Sequence, residues 1–131
     1  MEAVRAIGIS KTFGSGDTEV RALADVSLVI ETGTVAELLG PSGSGKSTLI
    51  KALGLVSLPD SGSVLFQGRP VVAEGVAVAN VSELRRRYLG FVFQSLFLVP
   101  YLTAIQNVML PLAASGVGEA RQRRMAADAL D

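Results

Sequence analysis

The chain of 131 residues contains no cysteine and no histidine. Without cysteine there is no disulfide framework and no thiolate metal site, and without histidine there is no histidine-based zinc site or catalytic triad. No apolar run reaches the ~20 residues that span a bilayer, and the N-terminus lacks the apolar core of a signal peptide. We therefore expect a soluble protein of a reducing compartment that meets membranes only as a peripheral partner.

The chain also has no excess of positive or negative charge, because twelve Lys and Arg residues balance twelve Asp and Glu residues. This balance argues against a generally basic protein that binds nucleic acid. Apolar residues make up 49% of the chain and charged residues 18%, which is typical of a globular protein. The length suffices for about one domain.

Apolar and polar residues alternate along the chain in patterns that predict mixed secondary structure. We expect strands at residues 3–13, 20–30, 35–39, 64–66 and 90–93. The segment 35–39 is apolar and bounded by glycines, which is typical of a strand buried on both faces. Helices are predicted at residues 46–55, 82–87, 103–110 and from 119 onward, with Ser82 and Thr103 as N-caps.

The strongest chemical signal is a glycine-rich segment that fits the pattern G-x-x-x-x-G-K-[ST]. Its glycines allow positive φ angles, and its N–H groups, together with the N-terminus of the next helix, can surround a polyphosphate. A flexible Gly/Ser linker is the alternative, but the order strand, loop, helix favours a phosphate loop. The residues expected to bind nucleotide are Gly40, Pro41, Ser42, Gly43, Ser44, Gly45, Lys46, Ser47 and Thr48.

Three side chains at the end of this loop have separate expected roles. Lys46 places a positive charge on the β- and γ-phosphates, which makes it a candidate catalytic residue. Ser47 offers a hydroxyl oxygen to Mg²⁺, a hard cation that prefers oxygen ligands. Thr48 can hydrogen-bond to the α-phosphate.

Several segments in a fixed order resemble the ATP-binding cassette (ABC) family, the motor subunits of membrane transporters. They are residues 11–14 (KTFG) with 20–28, the phosphate loop, residues 84–94 (LRRRYLGFVFQ), and residues 98–112 (LVPYLTAIQNVMLPL). The last segment looks most like the lipoprotein-releasing and macrolide-export branch. The resemblance implies an α/β fold, a P-loop NTPase core with an antiparallel β subdomain, incomplete at the C-terminus. Residues 1–94 would form the β subdomain and core, and residues 95–131 the start of a helical subdomain.

The resemblance also assigns roles to two residues outside the loop. Phe13 would stack on the adenine of ATP; the alternative is a core aromatic at a strand end. Gln94 would contact Mg²⁺ and the attacking water, as a catalytic and metal-binding residue; the alternative is an ordinary polar residue at a strand end.

An apolar segment at residues 96–102, which begins with Leu96 and includes Phe97 and Tyr101, is similar to the groove that receives a membrane permease. A packed hydrophobic turn is the alternative. The resemblance further implies a homo- or heterodimer of ATP-binding domains when full length, on the cytoplasmic face of the inner membrane.

The family's signature sequence, second Mg²⁺-binding strand, catalytic glutamate and switch histidine have no counterpart among these residues. The last helix also runs to Asp131 without a terminating glycine, which favours a cut chain. We expect a fragment that binds ATP and Mg²⁺ but does not hydrolyse ATP alone. The alternatives are a nucleotide-binding regulatory or interaction module that never hydrolyses, and a small P-loop kinase or GTPase. The long lead-in before Gly40 disfavours the last of these.

Glu37 departs from the family pattern because it lies within the apolar run 35–39. A buried unpaired carboxylate costs several kcal/mol or becomes protonated. We expect either a partner such as Arg5 or Lys51, a strand that is less buried here, or a sequence that has drifted.

Overall fold

The computed structural model describes residues 1–95 and 97–131, which separate into two compact units, Met1–Arg85 and Arg86–Asp131. Within the described residues of the first unit, the strands form one antiparallel sheet in the order β2-β1-β3-β4-β5. The strands are β1 (Glu2–Phe13), β2 (Val20–Glu31), β3 (Ser61–Phe66), β4 (Arg69–Ala73) and β5 (Val76–Ala77). The helices are α1 (Lys46–Leu53), α2 (Val81–Tyr88), α3 (Ala104–Ala114) and α4 (Glu119–Asp128), with a short 3-10 helix at Gly16–Thr18.

The hydrophobic core of the first unit lies between the sheet and helix α1. Ile9, Leu55, Val64 and Val72 are its largest fully buried side chains. Helix α1 contributes Leu49 and Ala52, which lie on one face at a spacing of three residues, the spacing that places helical side chains next to each other. The core therefore fixes the helix that follows the glycine-rich loop.

The second unit contains α3 and α4, and a capping box begins α3. The Thr103 hydroxyl accepts a hydrogen bond from the Gln106 amide (3.3 Å), and the Gln106 side chain accepts one from the Thr103 amide (2.8 Å). Asn107 accepts a hydrogen bond from the Val99 amide (2.7 Å) and donates one to the Leu102 carbonyl (3.1 Å), which fastens the preceding loop to α3. The predicted cap at Thr103 is confirmed.

Two predicted strands are wrong: residues 35–39 and 90–93 are irregular and mostly exposed. An extended segment becomes a strand only when a neighbour accepts and donates its backbone hydrogen bonds, and no strand in residues 1–95 and 97–131 lies beside either segment. Glu37 is accordingly exposed, which agrees with the expectation of a less buried segment. The sheet also contains β4 and β5, which the sequence pattern does not predict.

The cap of α2 also differs from the prediction. Asn80, not Ser82, accepts the hydrogen bond of the Glu83 amide (3.1 Å), and Ser82 lies in the first turn of the helix. Asparagine fills this role as well as serine does, because its side-chain oxygen reaches the same free amide. In the part of the chain that the structure describes, no helix has the length and apolar character needed to cross a bilayer.

Candidate functional site

The glycine-rich loop immediately precedes helix α1, and Gly45 is the N-cap of this helix. Gly45 has φ +86°, a left-handed conformation that residues with a Cβ rarely adopt. A Cβ at this position would lie 2.3 Å from the carbonyl oxygen of Ala22 in β2. Glycine is therefore required twice here, for the backbone conformation and for the close approach of the loop to the sheet.

The loop presents unused backbone donors at the start of α1. The amides of Gly43 and of residues 45–48 donate no hydrogen bond to any described residue, and the first helical bond runs from the Leu49 amide to the Gly45 carbonyl (2.8 Å). Free amides at a helix N-terminus favour the binding of a negatively charged group, because the positive ends of the N–H dipoles face away from the helix. This arrangement suits a phosphate or another anion.

The ammonium group of Lys46 lies inside the same loop. It donates hydrogen bonds to the carbonyl oxygens of Gly40 (2.8 Å) and Pro41 (2.6 Å) and lies 3.3 Å from the hydroxyl oxygen of Ser44. All three partners are neutral oxygens of the loop itself. The positive charge is thus held within the same loop as the free amides and can exchange these partners for anionic oxygens.

A cavity of about 490 Å³ opens between the loop and strand β2. This volume lies within the range of small-molecule and cofactor sites. Its walls are the strand residues Arg21, Ala22, Leu23, Ala24 and Val26, the loop residues Leu38, Leu39, Gly40, Pro41, Ser44, Gly45 and Lys46, and Leu49 of α1. The sequence does not predict that β2 lines this cavity, because no local pattern shows that this strand faces the loop.

Phe13 ends strand β1, and 46% of its surface is exposed, so it is not a core aromatic. The Lys11 ammonium lies 5.7 Å from the centre of its ring, within the range of a cation–π interaction. The described residues that line the cavity do not include Phe13.

Gln94 lies in the second unit, in a bend, and is exposed. Its predicted role at Mg²⁺ stays a prediction.

The expected permease-binding segment 96–102 also belongs to the second unit, and Leu96 lies outside the described residues. Phe97, Leu98 and Tyr101 are exposed, and Phe97 meets Phe93 edge to face at a ring distance of 5.1 Å. The segment is therefore apolar and accessible rather than a packed turn at these three positions.

The Ser47 hydroxyl lies exposed in the first turn of α1, beside the free amides. Within the described ranges, no group of three or more His, Cys, Asp or Glu residues could hold a metal ion. Because Mg²⁺ commonly takes one or two protein oxygens together with phosphate oxygens, Ser47 fits a metal that arrives with a nucleotide.

Comparisons with known proteins agree on the family. The family model described as ABC transporter matches residues 23–131. The lipoprotein-releasing system ATP-binding protein LolD of Bordetella avium is 39% identical over 128 residues, which are 98% of this chain and 55% of LolD. The macrolide export ATP-binding/permease protein MacB of Hyphomonas neptunium is 41% identical over 122 residues, 93% of this chain and 19% of MacB.

The fold comparison gives the same result. A solved dimeric ATP-binding cassette, MJ0796, in a post-hydrolysis state bound to ADP and Pi, matches with a TM-score of 0.82 at 32% identity. The match covers 95% of this chain and 54% of that chain, so the chain spans about half the length of LolD and of the solved cassette. Both the predicted fold class and the predicted resemblance are confirmed: the chain belongs to the family of ABC transporter ATP-binding domains.

Proposed function

We propose that residues 40–48 bind the triphosphate of ATP and that the chain serves an ABC transporter as part of its ATP-binding domain. The observation that carries the proposal is the group of free amides at Gly43 and residues 45–48, in the same loop that holds the Lys46 ammonium. Amides and a cation that converge on one loop stabilise a polyphosphate better than either does alone. Membership in a family of ATP-binding domains supports ATP as the ligand.

The loop residues act by binding and orienting the phosphates. When phosphate oxygens arrive, the Lys46 ammonium exchanges the carbonyls of Gly40 and Pro41 for negatively charged acceptors, so the attraction between opposite charges adds to the hydrogen bonds. Ser47 is proposed to offer its hydroxyl to Mg²⁺, and Thr48 to hydrogen-bond the α-phosphate. Bound Mg²⁺ supplies charge neutralisation between the phosphates. Phe13 is proposed to stack on the base, and Gln94 to contact the metal.

Binding without turnover is the proposed behaviour of these 131 residues as an isolated chain. Phosphoryl transfer depends on placing the attacking water and stabilising charge at the γ-phosphate. The chain contains no histidine and no counterpart of the family's catalytic glutamate after a second Mg²⁺-binding strand. The loop can therefore hold the nucleotide without positioning a nucleophile.

The biological role that we propose is transport, by analogy with the relatives. Their names describe a lipoprotein-releasing system and macrolide export. In this proposal residues 1–94 form the nucleotide-binding core and residues 95–131 begin a helical subdomain. The apolar segment 96–102 contacts a membrane permease on the cytoplasmic side of the inner membrane, and two ATP-binding domains pair, as in the dimeric solved cassette.

Isothermal titration with ATP and Mg²⁺ tests the proposal, with Lys46→Ala as the binding variant. Loss of a charged hydrogen-bond donor costs about 1.5–3 kcal/mol, so Kd should rise about ten- to a hundredfold. Lys51→Ala is the matched control, because Lys51 is an exposed lysine of the same helix, and its Kd should equal that of the parent. Equal Kd values for Lys46→Ala and the parent would refute the phosphate site. ATP turnover above that of Lys46→Ala would refute binding without hydrolysis.

A further inference from the structure

Strand β1 extends beyond its neighbour β3 at the end that carries Phe13. Its pairing with β3 ends at Ser10, opposite Ser61, whereas its pairing with β2 continues to Phe13, opposite Val20. Among the described residues, the last three residues of β1 therefore have a strand on one side only. An unpaired strand edge leaves backbone groups that need other partners.

Asp60, the residue just before β3, supplies those partners. Its amide donates to the Ser10 carbonyl (2.8 Å), one carboxylate oxygen accepts from the Thr12 amide (2.7 Å), and the other accepts from the Lys11 ammonium (2.6 Å). Asp60 thus hydrogen-bonds to three consecutive residues of β1. Beyond the end of the β1–β3 pairing, its side chain takes the place of a neighbouring strand.

The ion pair also places the Lys11 charge against Phe13. The Lys11 side chain is only 18% exposed, and its ammonium lies 5.7 Å from the centre of the Phe13 ring. A lysine stem is flexible, and ordering it in one direction opposes its rotamer entropy. The Asp60 carboxylate offsets that entropy and keeps the cation over the ring.

We propose that Asp60 is a positioning residue for the binding of the adenine base: it fixes the backbone before Phe13 and holds the Lys11 cation over that ring. A cation near an aromatic face draws on the electron density of the ring, which favours stacking with an electron-rich base on the exposed part. The inference rests on the proposed function, because it requires that Phe13 binds the base.

The test compares the affinities of ATP and of inorganic tripolyphosphate, which has no base, in the presence of Mg²⁺. Asp60→Ala should weaken ATP binding about three- to tenfold and leave tripolyphosphate binding unchanged. In a Phe13→Ala background the same change should have no further effect on ATP, because the ring through which Asp60 acts is gone. A merely structural role would not produce this dependence on Phe13.

Two further variants distinguish the loss of the Asp60 charge from a general effect of substitution on the fold. Asp60→Asn keeps an acceptor for the Thr12 amide but removes the charge that holds Lys11, so it perturbs the backbone less and should weaken ATP binding in the same selective way. Glu74→Gln is the matched control, because Glu74 is an exposed acid in the turn after β4, and it should leave both affinities unchanged.

Equal weakening of ATP and tripolyphosphate by Asp60→Ala would overturn the inference, as would a full effect of Asp60→Ala in the Phe13→Ala background. If Phe13→Ala itself leaves the ratio of the two affinities unchanged, the base does not bind on Phe13. That result removes the proposed role of Phe13 and the inference together. A selective loss in Phe13→Ala with none in Asp60→Ala or Asp60→Asn removes the inference alone.

Discussion

The two units of the chain differ in how much apolar surface each buries within itself. In Met1–Arg85, strands and α1 share one cluster of fully buried side chains that includes Ile9, Val64 and Val72. In the described part of Arg86–Asp131, Ala126 is the one buried hydrophobic residue. Burial of apolar side chains is the main favourable contribution to folding, so the first unit has the stronger internal scaffold.

The glycine-rich loop belongs to the unit with the core. Helix α1 follows the loop directly and packs through Leu49 and Ala52, while Gly45 abuts β2. A binding site held by packed elements keeps its donors in place before the ligand arrives. In the second unit, Phe91 stacks on Phe93, Phe93 meets Phe97 edge to face, and all three rings are exposed.

The same truncation in the two units should have very different effects. Ile9→Ala removes a fully buried side chain and should lower the free energy of unfolding by about 2–5 kcal/mol. Ile105→Ala removes a half-buried side chain of α3 and should lower it by about 1 kcal/mol or less. Urea titrations followed by circular dichroism measure both losses. Equal losses would contradict the assignment of a single strong core to the first unit.

Alanine substitutions at two glycines of the loop distinguish the effect of packing from the effect of backbone strain. Both Gly43 (φ +81°) and Gly45 (φ +86°) adopt left-handed conformations, so alanine at either one costs about 1–2 kcal/mol. Only at Gly45 would the new Cβ collide with the sheet, 2.3 Å from the Ala22 carbonyl oxygen, whereas open space surrounds Gly43. Gly45→Ala should therefore destabilise the first unit by about 1–3 kcal/mol more than Gly43→Ala. Equal midpoints in urea would show that the loop does not rest on β2.

Local interactions should matter more in the second unit, because its core is small. Thr103→Ala removes the side-chain oxygen that caps α3 and should cost about 1 kcal/mol. Thr103→Ser retains that oxygen and should stay close to the parent. Helix content measured by circular dichroism against temperature distinguishes the two, and a Thr103→Ser variant as unstable as Thr103→Ala would argue against the cap.

The smallest expected effect is on how the free energy of unfolding changes at acidic pH. The hydrogen bond from Lys11, followed by that from the Thr12 amide, lowers the pKa of Asp60 below its ordinary value of 3.8. The folded state thus favours ionised Asp60, which adds stability above the ordinary pKa, and this contribution is lost as the pH falls through the lowered pKa. Asp60→Asn should therefore lose less stability than the parent when the pH falls from 5 to about 2. Parallel curves of unfolding free energy against pH would contradict the ion pair.

The sequence predicted those parts of the molecule that short-range interactions determine. The loop at residues 40–48 and the cap at Thr103 depend on residues within a few positions, and helices α1, α3 and α4 follow the predicted spans closely. The segment 35–39 was predicted as a strand from its composition, but a strand also needs a partner, which composition does not specify.

Contacts between distant residues were beyond prediction for a related reason. Asp60 binds Lys11 and Thr12 across 49 and 48 positions, and no spacing rule connects an acid in one turn with the end of a remote strand. The wall of the cavity formed by residues 21–24 of β2 depends in the same way on how the sheet folds back on the loop.

Backbone amide signals in nuclear magnetic resonance test the central claim most directly. When tripolyphosphate and Mg²⁺ are added, we expect the amides of Gly43 and residues 45–48 to shift, because they are the free donors of the loop. The amide of Gly118 serves as an internal control, since this glycine also precedes a helix but no phosphate-loop lysine follows it. Shifts confined to the loop amides would support the account. Unchanged loop amides at saturating tripolyphosphate, or equal shifts at Gly118, would contradict it.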